Sequence, residues 1–201
     1  MKIGVLALQG AFIEHEAMLR GLGAEAVEVR LPQHLPGLDG LIIPGGESTT
    51  IGKLMVAYEL LEPLRDFGRE RAIWGTCAGA ILLAREIHRD QPRLALMNIE
   101  IARNAFGRQV DSFSVELDVP CLGQNGSKNG GKPQNDTPPA FHAVFIRAPL
   151  IESVHADARV LAALPDGKIV AVREGHWLAT SFHPELTGDD RFHRYFLEQV
   201  V

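Results

Sequence analysis

The sequence predicts an α/β fold in three layers, with helices on both faces of a mainly parallel central sheet and an antiparallel extension of that sheet. Two patterns predict it. In the first half of the 201-residue chain, short apolar runs alternate with helical patterns, which is typical of βαβ units. From Leu94 onward, apolar and polar residues alternate with period two between turn residues, which indicates antiparallel hairpins.

The parallel half is predicted element by element from these patterns. Strands are expected at residues 3–8, 26–30, 40–43 and 72–74, and helices at residues 12–22, 51–61 and 78–86. Gly21 and Gly23 are expected to end the first helix, because glycine is common at helix C-termini.

The second half is richer in predicted strands. They fall at residues 110–117, 141–147, 160–164, 168–173 and 176–182. Asp166-Gly167 and Glu174-Gly175 supply turn residues between the last three of these strands.

The end of the chain and the long polar segment complete the organisation. Phe192, Phe196 and Val200 lie at helical spacing, which predicts a terminal helix over residues 189–201. Residues 121–139 are rich in Gly, Asn, Pro, Gln and Lys, and we expect a flexible polar surface loop there. A single domain over residues 1–201 is expected, because this length is ordinary for one α/β domain.

Composition excludes several classes of function. The chain is 46% hydrophobic and 22% charged, as in an ordinary globular protein. Its net charge of −5, without a block of like charges, argues against nucleic acid or an anionic membrane as partner. No apolar run approaches the ~18 residues of a membrane-spanning helix. The two cysteines, Cys77 and Cys121, do not form a disulfide framework, so a reducing, cytoplasmic location is expected.

A nucleophile elbow is predicted around Cys77. An apolar strand runs into Gly75-Thr76-Cys77-Ala78-Gly79 and continues as a helix, and the two glycines leave room for the sulfur to project from a strained turn. A sulfur above a helix N-terminus faces the positive end of the helix dipole, which favours the reactive thiolate. The ordinary alternative is a buried, inert cysteine, and the strand-to-helix context argues against it.

A partner for this nucleophile is predicted near the end of the chain. Residues i and i+2 of an extended segment face the same side, so Glu185 can orient His183 while His183 addresses Cys77. The pattern therefore predicts a Cys-His-Glu triad. The other histidines are interpreted as surface or packing residues: His15, His34, His88, His142, His155, His176 and His193.

An oxyanion hole is predicted beside the elbow. Gly45-Gly46 follows the strand at 40–43, and adjacent glycines let backbone N–H groups approach a ligand. The N–H groups of Gly46 and Ala78 are therefore expected to bind an oxyanion. A plain turn before a helix capped by Ser48 or Thr49 is the alternative. Both loops follow the carboxyl ends of parallel strands, where open α/β sheets bind ligands, and this favours the oxyanion hole.

No metal site or cofactor is predicted. Glu14-His15-Glu16 lacks a second histidine one helical turn further on, and neither cysteine has a paired ligand at the usual spacing.

The Gly75–Gly79 motif and His183-Pro184-Glu185 together resemble the class I, triad-type glutamine amidotransferases. The resemblance extends to one group within them, the glutaminase subunits of pyridoxal 5′-phosphate synthase. It rests on segments 8–11, 44–50, 103–113, 145–149 and 181–187 and spans nearly the whole chain. The resemblance implies the flavodoxin-like architecture of class I glutamine amidotransferases.

The same resemblance implies an activity and its participants. The chain is expected to hydrolyse L-glutamine to L-glutamate and ammonia through a thioester on Cys77. Ammonia would pass to a (β/α)8-barrel synthase subunit that makes pyridoxal phosphate in vitamin B6 biosynthesis. Gln9 and Gly10 would lie near the oxyanion hole and the partner contact. The implied glutamine-binding residues are Gly46, Glu47, Ser48, Arg103, Ile146 and Arg147.

Two alternatives stay open at this point. The same chemistry could serve another amidotransferase, such as an imidazole-forming synthase, although the segments between Arg103 and Pro149 argue against it. The chain could also be a non-catalytic thiol protein of similar fold, which would need no His183-Glu185 pair. Residues 121–139 are longer and more polar than the usual family turn, and the resemblance gives Cys121 no role.

Overall fold

The computed structural model describes residues 1–103, 112–123 and 140–201. The strands are β1 (Lys2–Leu6), β2 (Glu25–Val29), β3 (Gly40–Ile43), β4 (Ala72–Thr76), β5 (Ala84–Ile87), β6 (Met97–Ala102), β7 (Ser112–Leu117), β8 (Phe141–Ile146), β9 (Leu150–Val154), β10 (Arg159–Ala163), β11 (Ile169–Glu174) and β12 (Trp177–Thr180). The helices are α1 (Phe12–Gly21), α2 (Ser48–Ala57), α3 (Leu61–Glu70), α4 (Ala78–Leu83) and α5 (Arg191–Tyr195).

One large sheet organises the described residues. Its strand order is β2-β1-β3-β4-β12-β11-β9-β6-β5, with β10 beside β11, and β7 and β8 form a separate antiparallel pair. From β2 to β12 all neighbours are parallel, whereas β11 pairs antiparallel with β12, β9 and β10. The predicted mainly parallel sheet with an antiparallel extension is therefore confirmed.

Side-chain alternation along the central strands builds the three layers. In β3, Leu41 and Ile43 join the apolar core on one face of the sheet, and Ile42 joins the core on the other. Helices α2, α3 and α4 contribute to the first core, and α1 and α5 contribute to the second. Both faces of the parallel strands are thus covered, which explains why these strands are almost continuously apolar.

Two predicted helices differ from the structure. The helix predicted at 78–86 ends at Leu83, and the next residues form β5, in which Arg85 and Glu86 are exposed beside β6. The helix predicted at 51–61 corresponds to α2, which begins at Ser48 and ends at Ala57. Helix α3 follows it as a separate helix. Helix α3 was not predicted, because its apolar stripe is narrow and Pro63 and Gly68 interrupt it. Pro63 is tolerated there because it lies in the first helical turn, whose N–H groups have no intrahelical partner.

Strands β5, β6 and β9 were not predicted either, and the remaining elements agree with prediction more closely. Asp166-Gly167 and Glu174-Gly175 do form the turns that flank β11, with Gly167 at φ 85° and Gly175 at φ 57°. The terminal helix continues beyond α5 as a π-helical turn, Phe196–Val200.

Of the predicted loop 121–139, the structure describes residues 121–123, which belong to a 3-10 turn, and residues 124–139 lie outside the described residues. None of the described helices has the length and apolar character needed to cross a membrane.

Gly79 tests the packing of α4 on the sheet. A Cβ atom on Gly79 would lie 2.0 Å from the carbonyl oxygen of Ile43, which belongs to the backbone of β3 and has little freedom to move. Gly79→Ala is expected to lower the free energy of unfolding by about 1–3 kcal/mol, as overpacking does. Urea unfolding measures the change.

Gly21→Ala is the matched control for that experiment. Gly21 ends α1, and a Cβ atom there would meet no atom within 4 Å. Alanine is expected to leave stability unchanged or to raise it by up to about 1 kcal/mol. Equal effects of the two substitutions would show that α4 does not pack as closely on β3 as described.

Candidate active site

Cys77 occupies a strained junction between β4 and α4. Its backbone has φ 49° and ψ −103°, a region that a non-glycine residue adopts at a cost of about 1–3 kcal/mol. Its N–H group donates to the carbonyl oxygen of Thr180, at 2.8 Å, at the end of β12. A Cβ atom on Gly75 would lie 2.4 Å from the backbone of Gly79. Both glycines of the motif are therefore required by close backbone packing.

The side chains of His183 and Glu185 lie next to each other and are buried. His183 Nδ1 lies 2.7 Å from Glu185 Oε1, and the backbone N–H of His183 donates to the carbonyl oxygen of Val144 at 2.8 Å. The segment from Pro184 to Leu186 is a 3-10 turn, which brings the glutamate back toward the histidine.

Gly45 shows how close His183 comes to Cys77. A Cβ atom on Gly45 would lie 2.3 Å from His183 Cε1 and 3.3 Å from Cys77 Cβ. The two side chains therefore converge on the same point of the glycine loop. The structure thus brings Cys77 together with His183 and Glu185, which lie more than 100 residues later in the sequence.

His183 is charged at neutral pH. Burial lowers its pKa, but hydrogen bonds with Cys77 and Glu185 and their charges outweigh burial and raise the pKa to about 10. An imidazolium in this position holds a proton that it can give to a leaving group.

A cavity of about 300 Å³ opens above Cys77. Of the residues proposed from the sequence, those that line it are Gln9, Gly46, Glu47, Ser48, Cys77, Ala78, Arg103, Ile146, Arg147 and His183. Ile81 and Pro149, which were not singled out, line it as well. The sulfur of Cys77 lies 3.9 Å from the carbonyl oxygen of Ile146.

Gly10 and Glu185 do not line this cavity. Gly10 has φ +104° and packs behind the glycine loop, because a Cβ atom there would lie 1.9 Å from the carbonyl oxygen of Gly45. Ala11 N–H donates to that same oxygen at 3.1 Å. Gln9 instead faces the cavity, and its side-chain oxygen accepts from Glu47 N–H at 2.8 Å.

A charged pair, Arg103 and Glu47, also lines the cavity. Arg103 donates to Glu47 Oε1 at 2.9 Å, and it also donates to Thr49 Oγ1 and to Gln91 Oε1. Burial raises the pKa of Glu47, but hydrogen bonds from Thr50, Thr49 and Arg103 prevail and lower it to about 2. Glu47 is therefore an anion at neutral pH.

The N-cap of α2 differs from the prediction. Glu47 is the N-cap residue, and its carboxylate accepts from the N–H groups of Thr49 at 3.2 Å and Thr50 at 2.7 Å. The predicted cap at Ser48 or Thr49 is wrong, because a glutamate one residue earlier reaches the same N–H groups and adds a full negative charge to the helix N-terminus.

Three polar residues near the site were not predicted from the sequence to belong to it. Gln91 accepts from Ser48, Thr49 and Arg103 from a buried position. His15 and His193, which were interpreted as surface or packing residues, are completely buried and lie behind Glu185. No spacing in the sequence marks these residues, because each comes from a distant element.

Comparison with known proteins identifies the family. The SNO glutamine amidotransferase family matches residues 5–201. The chain belongs to this family. The resemblance stated from the sequence motifs is thereby confirmed, and the chain is a member of the glutamine amidotransferases.

Relatives of this family member match over their full length. It is 57% identical over 202 residues to pyridoxal 5′-phosphate synthase subunit PdxT of Herpetosiphon aurantiacus, covering 98% of this chain and 99% of the relative. It is 55% identical over 202 residues to the subunit of the same name from Moorella thermoacetica, covering 100% of both.

Solved structures support the architecture. A crystal structure of a glutamine amidotransferase is 50% identical, with a TM-score of 0.86 over 98% of this chain and 97% of that one. PurLQS from Thermotoga maritima has a TM-score of 0.67 at 16% identity, with 98% of this chain and 96% of that one covered, and shares the fold. The predicted class I glutamine amidotransferase architecture is confirmed.

The charge state of His183 can be measured directly. In ¹⁵N-histidine-labelled protein, the His183 imidazole is expected to stay protonated through neutral pH and to titrate near pH 10. Glu185→Gln removes a carboxylate that stabilises the imidazolium, so the pKa of His183 is expected to fall. NMR chemical shifts followed against pH report both values.

The control is Glu198→Gln, which removes an exposed carboxylate on the terminal turn. It is expected to leave the titration of His183 unchanged. A wild-type His183 that titrates near its ordinary value of about 6.5 would contradict the described hydrogen bonds.

Proposed function

We propose that this chain is the glutaminase subunit of a pyridoxal 5′-phosphate synthase and that it hydrolyses L-glutamine to L-glutamate and ammonia. The observation that carries this proposal is the convergence of Cys77 and His183 on Gly45, with Glu185 bonded to the far side of the imidazole. Full-length relatives named as subunits of that synthase support the assignment.

The triad supports covalent catalysis. Cys77 attacks the side-chain amide carbon of glutamine as the thiolate, and the imidazolium of His183 gives its proton to the nitrogen as the C–N bond breaks and ammonia departs. The product is a glutamyl thioester on Cys77. His183, now neutral, takes a proton from water, and the attack of that water on the thioester releases glutamate. Glu185 orients the imidazole and stabilises its charged form throughout.

The oxyanion hole is assigned to the backbone of two loops. Gly46 and Ala78 both line the cavity beside Cys77. Ala78 begins α4, so its N–H group belongs to a helix N-terminus and has no partner within the helix. We assign Gln9 and Gly10 a supporting role: Gln9 holds the N–H of Glu47, and Gly10 packs against Gly45. One oxyanion-hole donor is typically worth about 3–4 kcal/mol in the transition state.

The charged pair in the cavity, Glu47 and Arg103, is suited to bind the α-ammonium and α-carboxylate groups of glutamine. Free glutamine carries an ammonium and a carboxylate on its α carbon, and Glu47 and Arg103 present one opposite charge for each. Arg103 offers paired donors to the carboxylate, as guanidinium groups do. Ser48, Ile146 and Arg147 line the remaining wall. We therefore assign these five residues and Gly46 to glutamine binding.

The partner is proposed to be the synthase subunit of the same enzyme, a (β/α)8 barrel that receives the ammonia. The relatives' names describe them as subunits of that synthase, which implies a second subunit. A cytoplasmic location is proposed because both Cys77 and Cys121 are free thiols in a chain of two cysteines. We propose a single glutaminase domain over residues 1–201, since the strands of one sheet share both apolar cores.

Cys77→Ala tests the nucleophile. In the presence of the synthase subunit, glutamate release from glutamine is expected to fall to background, because the chain's other cysteine, Cys121, does not line the cavity. Coupled glutamate dehydrogenase assays measure the loss.

Cys121→Ala is the matched control, because burial raises the pKa of the Cys121 thiol and its reactive thiolate is disfavoured. It is expected to keep wild-type activity, and a glutamine-like alkylating agent is expected to modify Cys77 and spare Cys121. Turnover that persists in Cys77→Ala would refute the proposed function. Turnover that is stimulated by an imidazole-forming synthase and not by the pyridoxal phosphate synthase would reassign the partner.

Arg103→Lys tests substrate binding. Lysine keeps the charge but loses the paired donors, so KM for glutamine is expected to rise about tenfold while kcat changes little. Steady-state kinetics of the complex separate the two constants.

The control is Arg69→Lys, which changes an exposed side chain on α3. It is expected to leave both constants unchanged. A fall in kcat with an unchanged KM in Arg103→Lys would contradict the binding role.

A further inference from the structure

Two buried histidines lie directly behind the triad. His15 of α1 and His193 of α5 are both 0% exposed, and His15 Nδ1 lies 2.8 Å from His193 Nε2. His15 Nε2 lies 3.4 Å from Glu185 Oε2 and 3.2 Å from Thr76 Oγ1. The mechanism above uses neither histidine, yet one of them faces the second oxygen of the triad carboxylate.

Both histidines are neutral at neutral pH. Burial lowers the pKa of His15 well below its ordinary value, and the charges of His193 and His183 lower it further. Burial alone lowers the pKa of His193 to about 3. Both rings pack edge-on against Trp74, with ring centroids 5.7 and 4.9 Å away, which keeps water from them. Each ring therefore carries one N–H, and its position decides what His15 presents to Glu185.

The surroundings select one pair of tautomers. If His15 carried its proton on Nδ1, the lone pair of Nε2 would face the carboxylate oxygen of Glu185, which is repulsive. The same arrangement would place a buried N–H on His193 Nδ1, an atom with no hydrogen-bond partner among the described residues. If instead His193 Nε2–H donates to His15 Nδ1, the proton of His15 lies on Nε2. It then points toward Glu185 and Thr76, and the repulsion disappears.

We propose that His15 is a positioning residue of the triad: its Nε2–H group faces Glu185 Oε2 at 3.4 Å and stabilises the carboxylate in place, and His193 fixes the tautomer that makes this possible. The proposal rests on the proposed glutaminase function. His183 holds one oxygen of the carboxylate and His15 holds the other, so the carboxylate plane is fixed from both sides.

Loss of His15 has a defined consequence. Glu185 Oε2 is buried and makes no standard hydrogen bond within the described residues, so without His15 it loses the N–H group that faces it at 3.4 Å. The carboxylate can then rotate about its last side-chain bond and release the imidazole from its orientation toward Cys77. This change affects the chemical step, whereas Glu47 and Arg103 stay in place because His15 does not bond to either of them.

Two variants separate positioning from packing. His15→Gln places an amide nitrogen near the position of Nε2, whereas His15→Leu fills similar space without a donor. With the synthase subunit present, kcat for glutamate release is expected to fall about tenfold or more in His15→Leu with KM nearly unchanged. His15→Gln is expected to keep kcat within about threefold of wild type, since an amide N–H replaces the lost donor. His155→Leu, an exposed histidine after β9, is the control.

A spectroscopic measurement tests the tautomer without any turnover. In ¹⁵N-histidine-labelled protein at neutral pH, His15 is expected to be the neutral Nε2–H tautomer, assigned by its absence in His15→Gln. An Nδ1–H tautomer or an imidazolium would overturn the proposal, as would equal kcat values in His15→Leu and His15→Gln. If wild-type protein shows no glutaminase activity, the proposed function fails, and the NMR result still decides the hydrogen-bond assignment.

Discussion

The backbone strain at Cys77 is the constraint on which the rest of the site depends. A residue with positive φ between β4 and α4 points its side chain away from the sheet, into the cavity and above a helix N-terminus. The surrounding packing maintains this strain: the backbones of Gly75 and Gly79 lie against each other, and Gly79 lies against β3. The nucleophile is thus held in place by main-chain packing, before any side chain acts on it.

Sheet topology supplies the remaining groups. Strands β1, β3, β4 and β12 are neighbours in the parallel part of the sheet, and each delivers a functional segment at its carboxyl end. Gln9 follows β1, the glycine loop follows β3, Cys77 follows β4 and His183 follows β12. Parallel neighbours necessarily end at one edge, so residues far apart in sequence meet there without long loops. Behind that edge, a buried polar layer containing Glu185 and His15 meets the aromatic core around Trp74.

The local features of the fold and of the site can be predicted from the sequence, whereas the contacts between distant residues cannot. The elbow and the parallel strands were predictable because glycine spacing and apolar runs act over a few residues. Helix α3 and strands β5, β6 and β9 were not. Pro63 and Gly68 interrupt the apolar pattern of α3, and the three strands are short and carry polar residues among their apolar ones. The predicted N-cap of α2 was wrong, because the side chain of Glu47 caps the helix instead of the hydroxyl group of Ser48 or Thr49. The His15–His193 pair was invisible because 178 positions separate its members and no motif links them.

The proposed mechanism requires the Cys77 sulfur to form a covalent bond with the glutamyl group of the substrate. Rapid acid quenching of the working complex with glutamine, followed by peptide mass spectrometry, measures this most directly. We expect a glutamyl adduct on the peptide that contains Cys77, formed before steady state and absent from the peptide that contains Cys121. Glutamate production without that adduct, or with the adduct on another residue, would contradict it.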